Sequence, residues 1–561
     1  MTTTKRNLVR GAATCPGHGL RSISGRNRKV AASASASRRV SRLRRAALLL
    51  GFAISLAVGG TASARADVDL AIIGGRVIDP ETGLDAIRNV GISGGKIVAV
   101  TTDDIRARRL IDARNLVVSP GFIDLHSHGQ QLPAARMQAF DGVTTALELE
   151  LGMLPIDRYY AEMAREGRPI HYGASASWAA ARQAVMDQLP LTPSIEAFQK
   201  AAHFPNWSSQ IASDAQIESM ASILRTALDK GALGIGFNLG YAPPSGRKEY
   251  YEINRLAASY DVPTFTHVRF ISTEEPLSSF EAFEEMVAVS ASTGAHMHVS
   301  HLNSTTLRDI PRVLRLIADA QSHQVPITVE SYPYPAASTV IGAAMFRGPN
   351  WQERLGGVRY EDFEYEGRAL DEASFKALQA KDPGAIIVYK YLRTDSSPQD
   401  QAMLDQAVLF PGSAIASDTM PWTVDGKMQS GDQWPLPANA FSHPRSAGTF
   451  SRFLREYVRE RRLISLPDAL RRITLVPAQI LEKAVPQMRS KGRLQVGADA
   501  DISVFDPEAV TDRATFSTPS QSSSGMRWVI VSGTPVIAKG VLDRSAFPGR
   551  PIRRPELPAA D

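Results

Sequence analysis

The segment Asp124-Leu125-His126-Ser127-His128 constrains this chain more than any other, because it follows a short apolar run at 117–123 that is typical of a buried strand. Residues at positions i and i+2 of a strand point to the same face, so the imidazoles of His126 and His128 can reach one metal ion. Neutral imidazole is a common ligand of zinc and its first-row neighbours. The tripeptide alone also arises by chance, and a metal site requires further ligands elsewhere in the chain.

Residues 1–66 have the composition of an export signal. They contain thirteen Lys or Arg but no Asp or Glu, and an apolar run at 46–58 is followed by small residues that end in Ala64-Arg65-Ala66. A basic region, a short apolar segment and an Ala-x-Ala site together are typical of a secretory signal peptide. The run is short for a membrane span, although an uncleaved anchor is the alternative. We expect this leader to be removed and the mature chain to be exported to a bacterial periplasm by the Sec or the Tat route.

Removal of the leader reverses the net charge of the chain. The whole chain has 63 basic and 57 acidic residues, a charge of +6, whereas without the thirteen basic residues of the leader the balance is 50 against 57, or −7. We therefore expect no nucleic-acid partner, and no membrane contact after the leader is cleaved. The single cysteine, Cys15, also lies in the leader, so neither disulfides nor thiolate chemistry are expected in the mature chain.

Two strand-rich segments enclose the middle of the mature chain. Residues 67–118 contain short alternating apolar runs at 69–73, 75–78 and 96–100, and the pairs Gly74-Gly75 and Gly94-Gly95 predict turns. Similar runs return at 500–505 and 528–531, within 489–561. This arrangement favours a small β-sandwich domain formed from both ends of the mature chain.

The middle, residues 119–488, alternates strand-like and helix-like segments, as βα units do. Strand candidates lie at 264–268, 295–301 and 327–330, and helical spacing is found at 280–290 and 310–321. The predicted fold class is therefore α/β, with a (β/α)₈ TIM-like barrel as the main domain. An insertion at about 342–410, rich in Arg, Glu and aromatic residues, interrupts this rhythm and is expected over the mouth of the barrel.

Four further candidates stand where predicted strands end, which is where barrel enzymes carry their reactive groups. They are His267, His301, Asp418 and Glu150. Glu148 and Glu150 share one face of the predicted strand at 142–150, and buried carboxylates require compensation. A bridging metal ligand and a solvated outer face both explain the pair. We prefer Glu150 as the ligand because it is nearer the carboxyl end of the strand.

The motifs of this chain resemble those of the amidohydrolase superfamily and, within it, of the N-acyl-D-amino-acid deacylases. The resemblance rests on motifs that occur in family order over nearly the whole mature chain: Pro120-Gly121-Phe122-Ile123-Asp124-Leu125-His126, Gly142-Val143-Thr144-Thr145, Thr266-His267-Val268-Arg269, Val299-Ser300-His301, Tyr332-Pro333-Tyr334, Ser417-Asp418, His443-Pro444-Arg445 and Gly497-Ala498-Asp499-Ala500-Asp501. It implies that His126, His128, His267 and His301 hold one or two Zn²⁺ ions, or another divalent first-row metal. It also implies that Asp418 is the general acid and base.

The chain departs from the pattern of this family at two positions. The family typically has a metal-binding cysteine after the Gly-x-Thr-Thr strand, and we propose Glu150 in its place, a hard oxygen ligand instead of a soft thiolate. The family also often has a lysine two residues after the position of His301, where this chain has Asn303. If that lysine meets the substrate carboxylate, another cation must replace it. Candidates for substrate binding are Arg269, Arg445 and Arg347, together with Tyr332.

The resemblance implies a metal-dependent hydrolase that cleaves the amide of small N-acyl-D-amino acids. The Glu-bearing strand Gly142-Val143-Thr144-Thr145-Ala146-Leu147-Glu148-Leu149-Glu150 resembles that of N-acyl-D-glutamate deacylases, so N-acyl-D-glutamate is the favoured substrate. Cyclic amidases and dipeptidases of the superfamily, such as dihydroorotase, hydantoinase and isoaspartyl dipeptidase, are the alternative, but they usually bridge their metals with a carboxylated lysine. A metal-free binding barrel is the non-enzyme alternative, and such proteins lose ligands that this chain retains. The sequence does not fix the oligomeric state.

Overall fold

The computed structural model of the protein describes residues 67–556, so the predicted leader lies outside the described residues. Within that range no helix combines the length and the apolar character needed to cross a membrane.

The described chain begins with five strands: β1 (Val68–Asp79), β2 (Leu84–Ser93), β3 (Lys96–Thr101), β4 (Ala107–Asp112) and β5 (Val117–Pro120). Gly94 and Gly95 both have positive φ and form the predicted two-residue turn between β2 and β3. The turn predicted at Gly74-Gly75 is wrong. The register of β1 against β2 shifts between Ile72 and Gly75, and Gly74 has a φ of 72°, so this pair forms a β-bulge inside one long strand.

The next part alternates strands with helices. Its strands are β6 (Phe122–Asp124), β7 (Val143–Glu148), β8 (His171–Ala174), β9 (Ala176–Ser177), β10 (Ile235–Asn238), β11 (Thr264–His267), β12 (Met297–Val299) and β13 (Ile327–Ser331). Its helices are α1 (Leu132–Phe140), α2 (Ile156–Glu166), α3 (Trp178–Asp187), α4 (Ile195–Ala201), α5 (Asn206–Ser209), α6 (Asp214–Asp229), α7 (Arg247–Ser259), α8 (Ser279–Thr293), α9 (Leu302–Thr306) and α10 (Ile310–Ser322). The helices predicted at 280–290 and 310–321 correspond to α8 and α10.

Local sequence explains why these helices form. In α8, the side chain of Ser278 accepts a hydrogen bond from the backbone of Glu281, and the Glu281 side chain accepts one from the backbone of Ser278. This capping box satisfies donors that the first helical turn leaves free. Along α10 the buried residues Ile310, Val313, Leu314 and Ile317 recur at helical spacing, so the helix buries one apolar face.

The strands β6 to β13 pair in parallel and continue into β18 (Ala414–Ile415). One sheet has the order β6-β7-β8, and the other has the order β18-β13-β12-β11-β10-β9. Ser175 alone separates β8 from β9, and a parallel bridge joins Ser127 to Thr419, just beyond β6 and β18. Because all these strands run in one direction, their carboxyl ends meet at one edge.

The predicted insertion interrupts this series between β13 and β18. It contains β14 (Ala336–Val340), α11 (Trp351–Arg354), β15 (Phe363–Tyr365), β16 (Arg368–Ala369), α12 (Glu372–Lys381), β17 (Ile386–Lys390) and α13 (Pro398–Val408). The strands form an antiparallel sheet of order β14-β17-β15-β16, so the segment starts earlier than position 342. Phe346, Trp351, Phe363, Phe375 and Tyr389 pack ring against ring in it. This aromatic cluster accounts for the unusual composition.

The remainder of the chain returns to the first strands. After β18 come the hairpin β19 (Thr423–Val424) and β20 (Lys427–Met428), helices α14 (Arg445–Arg452), α15 (Leu466–Ile473) and α16 (Leu475–Leu481), and strands β21 (Ile502–Phe505), β22 (Met526–Val531), β23 (Thr534–Ala538) and β24 (Val541–Leu542). Strand β21 pairs antiparallel with β5, and β5 pairs with β1. Strands from both ends of the described chain thus form one nine-stranded sheet.

A buried ion pair links this sheet to the parallel strands. Asp501 Oδ2 lies 2.6 Å from Lys491 Nζ, and Asp501 Oδ1 lies 3.0 Å from Nε2 of His171, which begins β8. Burial raises the pKa of Asp501, but the charges of His171 and Lys491 outweigh it and hold the pKa below its usual range. For Lys491 burial has the opposite effect and lowers the pKa, but the carboxylates of Asp501 and Asp499 outweigh it and raise the pKa above its usual value. The pair therefore stays charged inside the protein.

Replacement of Asp501 by Asn should destabilise the fold by about 3 kcal/mol, the lower end of the cost of breaking a buried pair, because Lys491 keeps Asp499 at 3.1 Å. The measurement is the free energy of unfolding of residues 67–561 in urea. The stabilisation should be complete between the pKa of an unfolded Asp, about 3.9, and that of an unfolded Lys, about 10.4. It should decline as the pH falls below or rises above this window, because the folded pKa of Asp501 is lowered and that of Lys491 is raised.

The control is the double variant Asp501→Asn/Lys491→Met, which removes both charges. It should lose less stability than Asp501→Asn alone, because it removes the buried ammonium that would otherwise be left with Asp499 as its only carboxylate partner. Equal losses in the two variants would show that the ion pair does not set the stability.

Candidate metal centre

Six side chains converge just beyond the carboxyl ends of the parallel strands, and all six are buried. His126 and His128 follow β6, Glu150 follows β7, His267 ends β11, His301 follows β12 and Asp418 follows β18. Their ligand atoms form three overlapping groups, and within each group the atoms lie within 4.8 Å of one another. The six residues singled out from the sequence for metal binding and acid–base chemistry are therefore neighbours in the fold.

The first group contains His126, His128 and Glu150. The two Nε2 atoms of the histidines lie 3.1 Å apart, and Glu150 Oε2 lies 3.0 Å from Nε2 of His126 and 3.2 Å from Nε2 of His128. Two nitrogens bound to one tetrahedral zinc ion, each about 2.0–2.1 Å from it, are separated by about 3.3 Å. The spacing in this group is thus that of ligands around one ion.

The second group uses the other oxygen of Glu150. Glu150 Oε1 lies 2.9 Å from His267 Nδ1 and 3.5 Å from His301 Nε2, and these two nitrogens are 3.2 Å apart. One carboxylate therefore faces two histidine pairs, one with each oxygen. Glu148, the alternative on the same strand, lies behind His128 instead, with Oε2 2.9 Å from His128 Nδ1.

Hydrogen bonding within these groups is incomplete, which fits a bound cation. Glu150 Oε1 has no hydrogen-bond partner among the described residues, although His267 Nδ1 is close to it. When two imidazole nitrogens face each other, at most one proton can lie between them. At least one lone pair therefore points into the space between the two rings, where a metal ion could bind. A buried carboxylate oxygen without a partner is costly, and a metal ion at its free side removes that cost. The donor set, imidazole nitrogen and carboxylate oxygen, suits zinc.

Asp418 lies at the side of the first group. Its Oδ1 is 3.5 Å from Nε2 of both His126 and His128, and its Oδ2 is 2.6 Å from Nη2 of Arg445. Arg445 also donates from Nε to the carbonyl oxygen of Asp418 at 2.6 Å, and its guanidinium lies over the ring of Tyr332. Asp418 has a left-handed backbone with a φ of 52°. Arg445 thus fixes both the backbone and the side chain of this residue.

A second layer of carboxylates holds the outer nitrogens of the first histidine pair. Glu330 Oε1 lies 2.5 Å from His126 Nδ1, and its Oε2 lies 3.1 Å from Nε2 of His298. Such carboxylate–histidine pairs fix the ring orientation and the tautomer of a metal ligand. Glu330 was not predicted from the sequence, although a carboxylate within the apolar strand at 327–330 carries the same signal as Glu150.

The charges in this centre oppose one another strongly. Burial opposes protonation of His126 and His128, but nearby carboxylates raise the pKa of His126 well above its ordinary value and that of His128 to about 10. Burial raises the pKa of Glu150, but the histidines lower it overall to well below its usual range. The pKa of His267 is lowered by burial. The excess of carboxylates favours a positive charge next to the imidazole nitrogens. Either protons or a metal ion can supply this charge, so the two compete for the same nitrogens.

A partly enclosed cavity opens onto these ligands. Apolar side chains from α4 and from the insertion form much of its wall, among them Ile195, Phe198, Val340, Met345 and Ile386. Its polar lining includes Glu150, Asp418 and Asn238, and no Lys or Arg lines it among the described residues.

The predicted substrate-binding residues do not line this cavity. Arg269 donates from Nε and Nη2 to Glu285 and from Nη1 to Ser245, so all three of its guanidinium nitrogens already have partners within the protein. Arg445 pairs with Asp418, and Tyr332 lies beneath Arg445. Both are buried beside the centre rather than in the cavity wall.

Asn303, which stands where the family often has a lysine, and the third candidate Arg347 are also outside the cavity. The side chain of Asn303 donates to the carbonyl of Tyr332 and to the hydroxyl of Tyr391. Arg347 is exposed, and it is not part of the lining.

Comparison with known proteins gives consistent matches over most of the chain. The sequence profile of the amidohydrolase family matches residues 109–327 and 303–537. The N-acyl-D-glutamate deacylase of Alcaligenes xylosoxydans xylosoxydans is 28% identical over 521 residues, which cover 87% of this chain and 97% of that protein. The D-aminoacylase of the same organism is 26% identical over 498 residues, which cover 83% of this chain and 94% of that protein.

A solved structure shows the same fold. It is an N-acyl-D-glutamate deacylase from Bordetella bronchiseptica, complexed with zinc and a phosphonate inhibitor that mimics the tetrahedral intermediate of the reaction. It matches with a TM-score of 0.68 at 26% identity, over 87% of this chain and all of that one. The chain thus has an α/β fold similar to that of these enzymes.

Replacement of Glu330 by Gln should weaken metal retention by about 10–100-fold, because His126 loses the carboxylate that orients its ring. The measurement is a titration of the metal-loaded protein with a chelator, with metal content read by mass spectrometry. The control is Glu285→Gln, which removes a carboxylate paired with Arg269 and away from the ligands. If Glu330→Gln and the control retain metal equally well, Glu330 does not support the site.

Proposed function

The chain belongs to the amidohydrolase family, and we propose that it is a metal-dependent hydrolase of N-acyl-D-amino acids. The products are a carboxylate and the free D-amino acid. The observation that carries the proposal is the shared carboxylate of Glu150, whose two oxygens face two histidine pairs, with Asp418 at their side. The relatives that match nearly the full described chain bear the names of N-acyl-D-amino-acid deacylases.

We also propose the architecture that the sequence predicts, a barrel with a small β domain. The parallel pairing from β6 to β18, together with the bridge from Ser127 to Thr419, supports a (β/α)₈ barrel. The shared sheet of the two chain ends supports a small β domain beside it. Export to the periplasm, inferred from residues 1–66, is also part of the proposal.

The metal that fits these ligands is zinc, as one or two ions. His126, His128 and Glu150 would hold one ion, and Glu150, His267 and His301 would hold the other. Bound zinc supplies Lewis acidity, which polarises a carbonyl group and lowers the pKa of water. Glu148 and Glu330 keep His128 and His126 oriented for this role.

Asp418 is the residue placed to move protons. Its Oδ1 reaches the space next to His126 and His128, while Arg445 holds its Oδ2. In the proposed reaction Asp418 accepts a proton from the attacking water as the water oxygen bonds to the acyl carbon. It then gives that proton to the amide nitrogen as the C–N bond breaks. The amine leaves with that proton, and the acyl group leaves as a carboxylic acid that releases the remaining proton of the water to solvent and becomes a carboxylate.

The preferred amino acid is a separate question. The two deacylases of similar identity carry different substrate names, so identity does not choose between glutamate and other side chains. The sequence favours N-acyl-D-glutamate. The absence of Lys and Arg from the described cavity lining counts against a second substrate carboxylate, because a buried carboxylate needs a compensating charge.

The alternative functions have less support. Cyclic amidases and dipeptidases of the superfamily usually bridge their metals with a carboxylated lysine, whereas here the two oxygens of Glu150 face the two histidine pairs and would hold the metal. A metal-free binding role leaves the converging nitrogens and the unpartnered oxygen of Glu150 without a purpose.

The proposal is tested by loading residues 67–561 with Zn²⁺ and measuring hydrolysis of N-acetyl-D-glutamate, its L enantiomer and neutral N-acetyl-D-amino acids side by side. Cleavage of D forms is expected, and the ratio of glutamate to neutral substrates decides the side-chain preference. Failure to cleave any of them, with metal bound, would contradict the proposal and favour the cyclic amides and dipeptides.

Replacement of Asp418 by Asn should lower kcat by about 10²–10⁴-fold, because Asn cannot carry the proton between water and leaving group. Metal content should stay unchanged, since Glu150 and the four histidines remain. The control is Asp425→Asn, a residue that also has a left-handed backbone, with a φ of 50°, but lies in the exposed hairpin of β19 and β20. Near-normal turnover in the Asp418→Asn protein would exclude this role.

A further inference from the structure

The charges that line the cavity suggest what kind of substrate it accepts. Glu150 and Asp418 are its two carboxylates, and neither Lys nor Arg is among the described residues that line it. A free carboxylate of a bound substrate would therefore meet two like charges with no Lys or Arg in the wall to offset them, because the histidines of the wall would be neutral once they hold a metal ion. Like charges in a buried site disfavour each other, and the low polarity of the wall strengthens the effect.

The buried guanidinium groups near the centre already form ion pairs with carboxylates. Arg445 lies against Asp418 through Nη2 and Arg269 forms a two-bond pair with Glu285. Nη1 of Arg445 has no hydrogen-bond partner among the described residues, but Arg445 is buried outside the cavity lining. Releasing either arginine to meet a substrate would leave Asp418 or Glu285 without its ion pair. With one zinc ion bound, the two carboxylates of the lining match its charge of +2, so the inference applies to the site that holds a single ion.

The lining contains one carboxamide side chain whose oxygen lacks a hydrogen-bond partner among the described residues. Asn238 ends β10 and lines the cavity, only 2% of the residue is exposed, and its Oδ1 has no hydrogen-bond partner among the described residues. A carboxamide offers both an acceptor and two donors, so it is complementary to another carboxamide. A carboxylate can only accept hydrogen bonds, and it would leave Asn238 Oδ1 unsatisfied.

We propose that this site cleaves N-acyl-D-amino acid amides, in which an uncharged carboxamide replaces the free carboxylate, at least as well as it cleaves the corresponding acids. This inference rests on the proposed deacylase function and extends it to uncharged substrates with apolar side chains. Water adds across the acyl C–N bond, the acyl group leaves as a carboxylate, and the amine product keeps its carboxamide. Asn238 recognises the carboxamide, and the apolar wall accepts the side chain.

The first test compares N-acetyl-D-leucine with N-acetyl-D-leucinamide on the zinc-loaded protein. The expected result is a kcat/KM for the amide equal to or above that for the acid, with D-leucinamide and acetate as products by mass spectrometry. A kcat/KM at least tenfold higher for the acid would overturn the inference and leave the deacylase function intact. Cleavage of neither compound would overturn both.

The second test adds a positive charge to the wall. Met345 is a partly buried residue of the lining, and lysine has nearly the same length and flexibility. Met345→Lys should raise the acid-to-amide ratio of kcat/KM by tenfold or more, whereas the uncharged control Met345→Gln should not. Equal shifts in the two variants would show that the missing charge does not set the preference, and the inference would fail.

Discussion

The buried carboxylate of Glu150 is the interaction on which the rest of the centre depends. An ionised carboxylate away from water is tolerated only when opposite charge or hydrogen-bond donors surround it. Four imidazoles from three strands provide those neighbours, two on each oxygen. Because the strands run in parallel, each ligand can lie at its strand's carboxyl end and still reach the same point. Glu148 and Glu330 then hold the outer nitrogens of His128 and His126, so the arrangement is two layers deep.

The ligands could be predicted from the sequence because their signal is local. A histidine or an aspartate at the end of a short apolar run is recognised without knowledge of distant residues, and His126, His128, His267, His301 and Asp418 were all selected in this way. Depth is not local. Glu148 and Glu150 share one face of their strand, and only the packing of the neighbouring strands turns Glu150 toward both histidine pairs. The side chain of Glu330 meets His126 across 204 positions of sequence, which no short motif reports.

The arginines show a second limit of prediction from sequence. A guanidinium can reach several angstroms in many directions, and its position is decided by whichever acid it pairs with. Arg269 turns to Glu285 on α8, and Arg445 turns back to Asp418. Neither partner follows from the motif that contains the arginine. The same applies to Gly74, whose positive φ serves a bulge in a long strand rather than a turn, because the strands on either side of it pair with the same neighbour.

The metal ligands and much of the cavity wall come from different parts of the chain. The metal ligands and Asp418 stand on the parallel strands, where their mutual contacts fix them. Much of the apolar wall comes from α4 and from the insertion, whose aromatic cluster reaches the cavity at Tyr389. A substitution in the wall can therefore change the charge and shape that meet the substrate without breaking a contact among the ligands. Substrate range and hydrolytic chemistry can vary independently, since Asp418 and the histidines act on the amide bond that all candidate substrates share.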